Sequence, residues 1–149
     1  MAGDEAASPA SDLGWLLASL VKKVPHARSA LLLSADGIKK AYSGLDIDQA
    51  DQLAAIASGM FSLARSAGAQ FGANPGVRQV IAELDDTLLF VSTAGSGAVL
   101  AVAASRDADP GLVGFEMSIL VKSVRPVLET PMRSPAAASG AVTANDAVG

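Results

Sequence analysis

Three stretches of this chain abandon the in-and-out alternation of a half-exposed β-strand. They are Leu31, Leu32 and Leu33 in succession, then Leu88, Leu89, Phe90 and Val91, and the run AVLAVAA over residues 98–104. A strand with one face in water is apolar at alternate positions, whereas a strand covered on both faces is a near-continuous apolar run. Helices are therefore expected on both faces of one sheet. Turn residues bound each run. Asp36-Gly37 folds residues 27–34 onto a second strand at 38–42 as a β-hairpin, because Gly takes positive φ freely and Asp tolerates the left-handed region. Residues 77–84 alternate more, with Arg78, Gln79 and Glu83 among Val77, Val80, Ile81 and Leu84, and form the expected edge strand. Asp85-Asp86 and Gly95-Ser96-Gly97 are too short for crossover helices, so these last three strands make an antiparallel meander.

Three helices supply the cover. In the first, Leu13, Leu16, Leu17, Leu20, Val21 and Val24 make one apolar stripe, Ser11 or Asp12 caps it and Pro25 stops it. Trp15 lies opposite that stripe beside Lys22, either laid over a loop or the helix flank or free to anchor an interface. The second helix spans about residues 48–69 or beyond, with Asp46 or Asp48 as cap and Gly72, Asn74 and Pro75 as stop signals. On its wheel Leu53, Ile56, Ala57, Met60, Ala64, Ala67 and Phe71 form the natural contact with the sheet. A second stripe of Ala50, Ala54, Ser58, Phe61, Arg65 and Gly68 is left for a partner. Gly59 and Gly68 each cost roughly 1 kcal/mol relative to Ala inside a helix. Close packing against another helix, or burial under a loop of the same chain, would compensate. The third helix starts at Pro110, whose missing N–H is harmless there, and runs to about residue 128. Val113, Met117, Leu120, Val121, Val124 and Leu128 line one side and Leu112, Phe115 and Ile119 another, so it should touch both the sheet and the first helix. The order α-β-β-α-β-β-β-α predicts an α/β three-layer sandwich. Its five-stranded, mostly antiparallel sheet carries one long helix on one face and two on the other.

At 149 residues the chain fits one domain with a self-sufficient core. Residues 1–11 and 130–149, rich in Ala, Ser, Gly and Pro, are expected to be disordered tails around a folded unit at 12–129. A net charge of -4 and the lack of a basic stripe argue against nucleic-acid binding, which needs clustered Lys and Arg to displace counterions. With no cysteine there is no disulfide or thiolate metal site, which suits a reducing cytoplasm. No apolar run approaches the ~20 residues that span a bilayer, so direct membrane insertion is not expected.

Catalytic chemistry finds little footing. No glycine-rich loop is followed by Lys and Ser or Thr at phosphate-binding spacing, and Gly95-Ser96-Gly97 precedes a strand, as a hairpin turn does. The single histidine, His26, has neither a second histidine nor a cysteine to complete a metal site. Asp85 and Asp86 are turn neighbours that point apart, unlike an acid/base pair held across a cleft. Asp107 and Asp109 are capping residues before Pro110. Glu116, between Phe115 and Met117, is either partly buried and paired or placed at a partner surface. No Ser/His/Asp set assembles, so no catalytic, cofactor-binding or metal residue is expected and the protein should not be an enzyme.

Four stretches, DLGWLLASLVKKVPHARSALLLSADG, LDIDQADQLAAIASGMFSLARSAGAQFG, VRQVIAEL and LVGFEMSILVKSV, are spread along the folded unit from its first helix to its third. In this combination the chain resembles the roadblock/dynein light chain family, most closely its actinobacterial members. The resemblance implies a homodimer in which the second helices pack together and the edge strands at 77–84 join two sheets into one. The interface would then draw on Ala50, Ala54, Ser58, Phe61, Arg65 and Gly68 of the helix and Val77, Arg78, Gln79 and Ile81 of the strand. It further implies a scaffold or regulator of a small Ras-like GTPase, sometimes stimulating hydrolysis, encoded beside a sensor-kinase-like protein. The alternative is an adaptor for that kinase-like protein with no direct effect on a GTPase. Either would be cytoplasmic, with any membrane association made through partners. No Arg lies in a recognisable finger loop, so stimulation would come from repositioning the GTPase's own residues. The Lys39-Lys40 pair departs from the more apolar strand such proteins often have there.

Overall fold

Each apolar run becomes a central strand with helices above and below it. The computed structural model describes residues 9–129, and its elements are α1 (Pro9–Lys23), β1 (Ala27–Ser34), β2 (Lys39–Ser43), α2 (Ile47–Phe71), β3 (Gln79–Glu83), β4 (Thr87–Gly95), β5 (Ala98–Ser105) and α3 (Pro110–Glu129). The sheet order is β2-β1-β5-β4-β3 and every pairing is antiparallel. The three-layer α/β arrangement is the one expected. α1 begins at Pro9, inside the stretch expected to be tail, and the remainder of both tails lies outside the described residues.

The pleat of β1 shows why no alternation was visible. Leu31 and Leu33 face α2, together with Leu89, Val91, Val99 and Ala101. Ala30 and Leu32 face α1 and α3, together with Phe90, Leu100 and Val102. With β1, β4 and β5 in the middle of the sheet, both faces of each are dry. The α1/α3 side holds the larger core, where Leu17, Leu20 and Val24 meet Val113, Met117 and Val124.

Local chemistry sets the joints. Asp46 and Gln49 form a capping box at the start of α2: the Asp46 carboxylate accepts from the Gln49 amide at 2.8 Å and the Gln49 side chain accepts from the Asp46 amide at 3.0 Å. Asp109 caps α3, its carboxylate accepting from the Gly111 amide at 3.0 Å, with Pro110 in the first turn. Between β2 and α2, Gly44 has φ +81, and a Cβ there would lie 2.3 Å from the Arg28 carbonyl oxygen. Only glycine satisfies both demands.

Candidate interaction surface

α2 has 25 residues, so it is about 37 Å long at 1.5 Å per residue. Its buried positions are Ala50, Ala54 and Ala57, helped by half-buried Leu53, Met60 and Phe61. The inward face is therefore rotated toward the stripe expected to be free for a partner. Ala50 and Ala54 lie against their own sheet, and Phe61 packs on the same cluster. The physical reason is volume. The opposing sheet face is dominated by Leu31, Leu33, Leu89, Val91 and Val99, and the fully buried side chains that let the helix settle onto it are methyl groups, with the larger apolar residues at the flanks. Ser58 is likewise engaged within the chain, its hydroxyl donating to the Ala35 carbonyl at 3.0 Å across the β1–β2 turn. Gly68 serves the chain's return, since a Cβ there would come within 2.9 Å of the Asn74 carbonyl oxygen. Arg65 is exposed.

Rotation of the helix turns a different set outward. Ile56 is 52% exposed and Leu63 73% exposed, and Gly59 lies between them on the same stripe. A Cβ at Gly59 would meet nothing within 4 Å, so no contact among the described residues explains its absence. Beyond Arg65 almost every residue to Phe71, itself 91% exposed, faces water. An outward face with branched aliphatic residues on either side of a glycine suits close approach by a second helix, because the missing Cβ lets the backbones near one another. Periodicity alone does not reveal this face, because Ile56 and Ala67 fall on the same apolar stripe as Leu53 and Met60 yet are exposed; Gly59 is the sequence signal that points to it.

β3 supplies the second feature. It is the last strand of the sheet, narrower than the expected 77–84, and its exposure alternates, with Val80 and Ala82 turned toward α2 and Gln79, Ile81 and Glu83 exposed. The Leu84 amide donates to the Thr87 carbonyl, and the Arg78 carbonyl accepts from the Thr93 amide. Even-numbered residues thus turn their backbone groups to β4, and Gln79, Ile81 and Glu83 turn theirs to the open edge. Val77 is half-buried and Arg78 exposed just before the strand.

Glu116 and the β3–β4 turn have structural partners, whereas His26 and Trp15 lie exposed. Glu116, with 15% of its side chain exposed, lies 3.7 Å from the Lys23 ammonium between α1 and α3. Asp85 and Asp86 occupy the β3–β4 turn, where Arg106 donates to the Leu84 and Asp85 carbonyls. His26 lies exposed at a left-handed turn position with φ 72. Trp15 is 69% exposed rather than laid over a loop, and Phe115 and Ile119 are 59% and 40% exposed on α3, so only part of that helix's second apolar side meets α1. Among the described residues no group of three or more His, Cys, Asp or Glu gathers as a metal-binding set, and no helix is long and apolar enough to cross a membrane.

The family model described as Roadblock/LC7 domain matches residues 13–104. A crystal structure of a Roadblock/LC7 domain from Streptomyces avermitilis is 61% identical, covering 78% of this chain and 98% of that one with a TM-score of 0.77. A second Roadblock/LC7 domain from the same organism is 37% identical over 74% of this chain and 96% of that one, with a TM-score of 0.62. Myxococcus xanthus MglB shares the fold at 17% identity, covering 85% and 94% with a TM-score of 0.74. No curated protein matches the chain.

Proposed function

Because the chain belongs to the Roadblock/LC7 family, we propose that it works as a homodimer joined through the outer faces of α2 and the β3 edges. The dimer regulates or scaffolds a small Ras-like GTPase and has no nucleotide site of its own. The observation that carries the dimer is the stripe Ile56–Gly59–Leu63, apolar, outward and open at its centre. Two such stripes meeting would bury the aliphatic side chains and offset the helix-propensity cost of roughly 1 kcal/mol at Gly59. The open edge of β3 adds backbone donors and acceptors that a second copy satisfies by continuing the sheet. The dimer then presents a broad, rigid platform. A GTPase bound there is accelerated, if at all, by holding its own catalytic groups in their active positions, since only interactions stronger in the transition state raise the rate. The protein acts in the cytoplasm and reaches membranes only through its partners.

Sedimentation of the full chain at micromolar concentration should give a dimer, and Gly59→Arg should shift it to monomer while leaving the protomer folded, because the position opens into free space. A monomeric unsubstituted protein would sink the proposal. Single-turnover GTP hydrolysis by a small Ras-like GTPase encoded beside this chain, measured with and without it, tests the second half. Binding that ignores the nucleotide and persists without the GTPase supports instead an adaptor for the sensor-kinase-like protein.

A further inference from the structure

A groove of about 380 Å³ opens between the β3–β4 edge and α3. It exists because β3 lies beyond the reach of the two-helix layer, leaving Gln79 and Ile81 uncovered. Met117 and Val121 form an apolar floor, with Ser92, 8% exposed, beside them. Three cations rim it: Arg78 from the strand side, and Lys122 and Arg125 from the helix. The chain carries 15 acidic residues against 11 Lys and Arg, yet among the described residues no acidic side chain lines the groove. Among the described residues the ion pairs use Lys23, Lys39 and Arg106, and none of them involves these three cations. Arg125 is also placed with care: its Nε would lie 2.9 Å from a Cβ at Gly95, so the glycine at the end of β4 lets the guanidinium settle against the backbone.

We propose that this groove binds an acidic peptide segment of a partner protein, with carboxylates on either side of one apolar side chain. Cations that share one groove repel one another, and an anionic occupant relieves that repulsion. The volume lies within the range of ligand sites, and such sites pair an apolar lining with a few placed polar groups. A lone phosphate would meet the rim and leave the Met117 and Val121 floor bare, whereas a peptide meets both. Guanidinium groups also suit bidentate carboxylate binding. The proposal stands on the geometry of one protomer and goes beyond the regulator reading.

The test is fluorescence anisotropy of the full chain with a labelled peptide Asp-Glu-Leu-Glu-Asp, beside its amide analogue Asn-Gln-Leu-Gln-Asn. The acidic peptide should bind in about 50 mM salt and be released near 500 mM. The amide analogue should not bind. The double variant Lys122→Glu, Arg125→Glu, exposed on α3 and checked for unchanged thermal unfolding, should weaken binding at least about 10-fold. Lys40→Glu, on the far edge of the sheet, should leave it unaltered. Failure of the unsubstituted protein to bind, equal weakening by Lys40→Glu, or full displacement by equimolar inorganic phosphate would each overturn the proposal.

Discussion

The two edges of the sheet are built to opposite purposes. β2 is a guarded edge. Its register against β1 slips between Leu32 and Leu33, so that Lys40 is the extra residue of a bulge, exposed to water. Lys39 reaches across to the Asp51 carboxylate on α2 at 2.6 Å. A bulge and lysines are devices by which proteins prevent strand-to-strand association. β3 has neither: its pairing with β4 runs unbroken from Gln79↔Ser92 to Glu83↔Leu88, it holds no lysine, and Ile81 is half exposed in its middle. One edge is closed to further strands and the other is left available. The departure at Lys39-Lys40 from an apolar strand therefore has a physical role, ending the sheet on that side.

Substitutions can break or sharpen that contrast. The largest effect is expected away from both edges. Ala54→Arg forces an unpaired charge into the α2–sheet contact and should cost about 4 kcal/mol or more, unfolding the protomer rather than only separating a dimer; chemical denaturation reads it. Next comes Ile81→Pro. The Ile81 N–H points to the open edge, so proline removes no bond within the sheet and should cost the protomer only roughly 1–2 kcal/mol. Self-association should weaken as well, at least about 10-fold in dimer Kd by sedimentation, since the same N–H is what a second β3 would use. Equal sedimentation of Ile81→Pro and the unsubstituted chain would remove β3 from the interface. The smallest effect belongs to the guarded edge. The hydrogen bond from Lys39 to Asp51, assisted by their charge attraction, holds the Lys39 ammonium above its ordinary pKa. A raised lysine pKa stabilises the folded state at neutral pH, and this contribution disappears as pH rises through the folded value. Asp51→Asn should therefore lower stability slightly at neutral pH and flatten its alkaline decline, as followed by thermal unfolding across pH.

The fold was legible because its evidence is one-dimensional. Leu31-Leu32-Leu33 cannot be a half-wet strand, Asp36-Gly37 cannot easily continue one, and Pro110 marks where α3 begins. The orientation of α2 was harder to read. Leu53, Ile56 and Met60 made one apolar stripe and Ala50, Ala54 and Phe61 another. Periodicity measures the angle between two stripes and is silent about which of them faces the sheet. The answer depends on the volumes of Leu31, Leu33 and Val99, which lie far away along the chain. The shared groove of Arg78, Lys122 and Arg125 was hidden for the same reason, because only the packing of α3 beside the edge of the sheet places them on one rim.

The long overhang of α2 makes stability uneven along a single helix. Amides near Ala54 and Ala57 are locked by the sheet beneath them and should exchange with deuterium only when the whole protomer opens. Those of residues 62–71 have little beneath them and can exchange by local fraying. Any partner that settles on the outer face of α2 would slow exchange in this second half first. The last turns of the helix are thus an occupancy sensor already built into the backbone, readable by mass spectrometry without a label or a substitution.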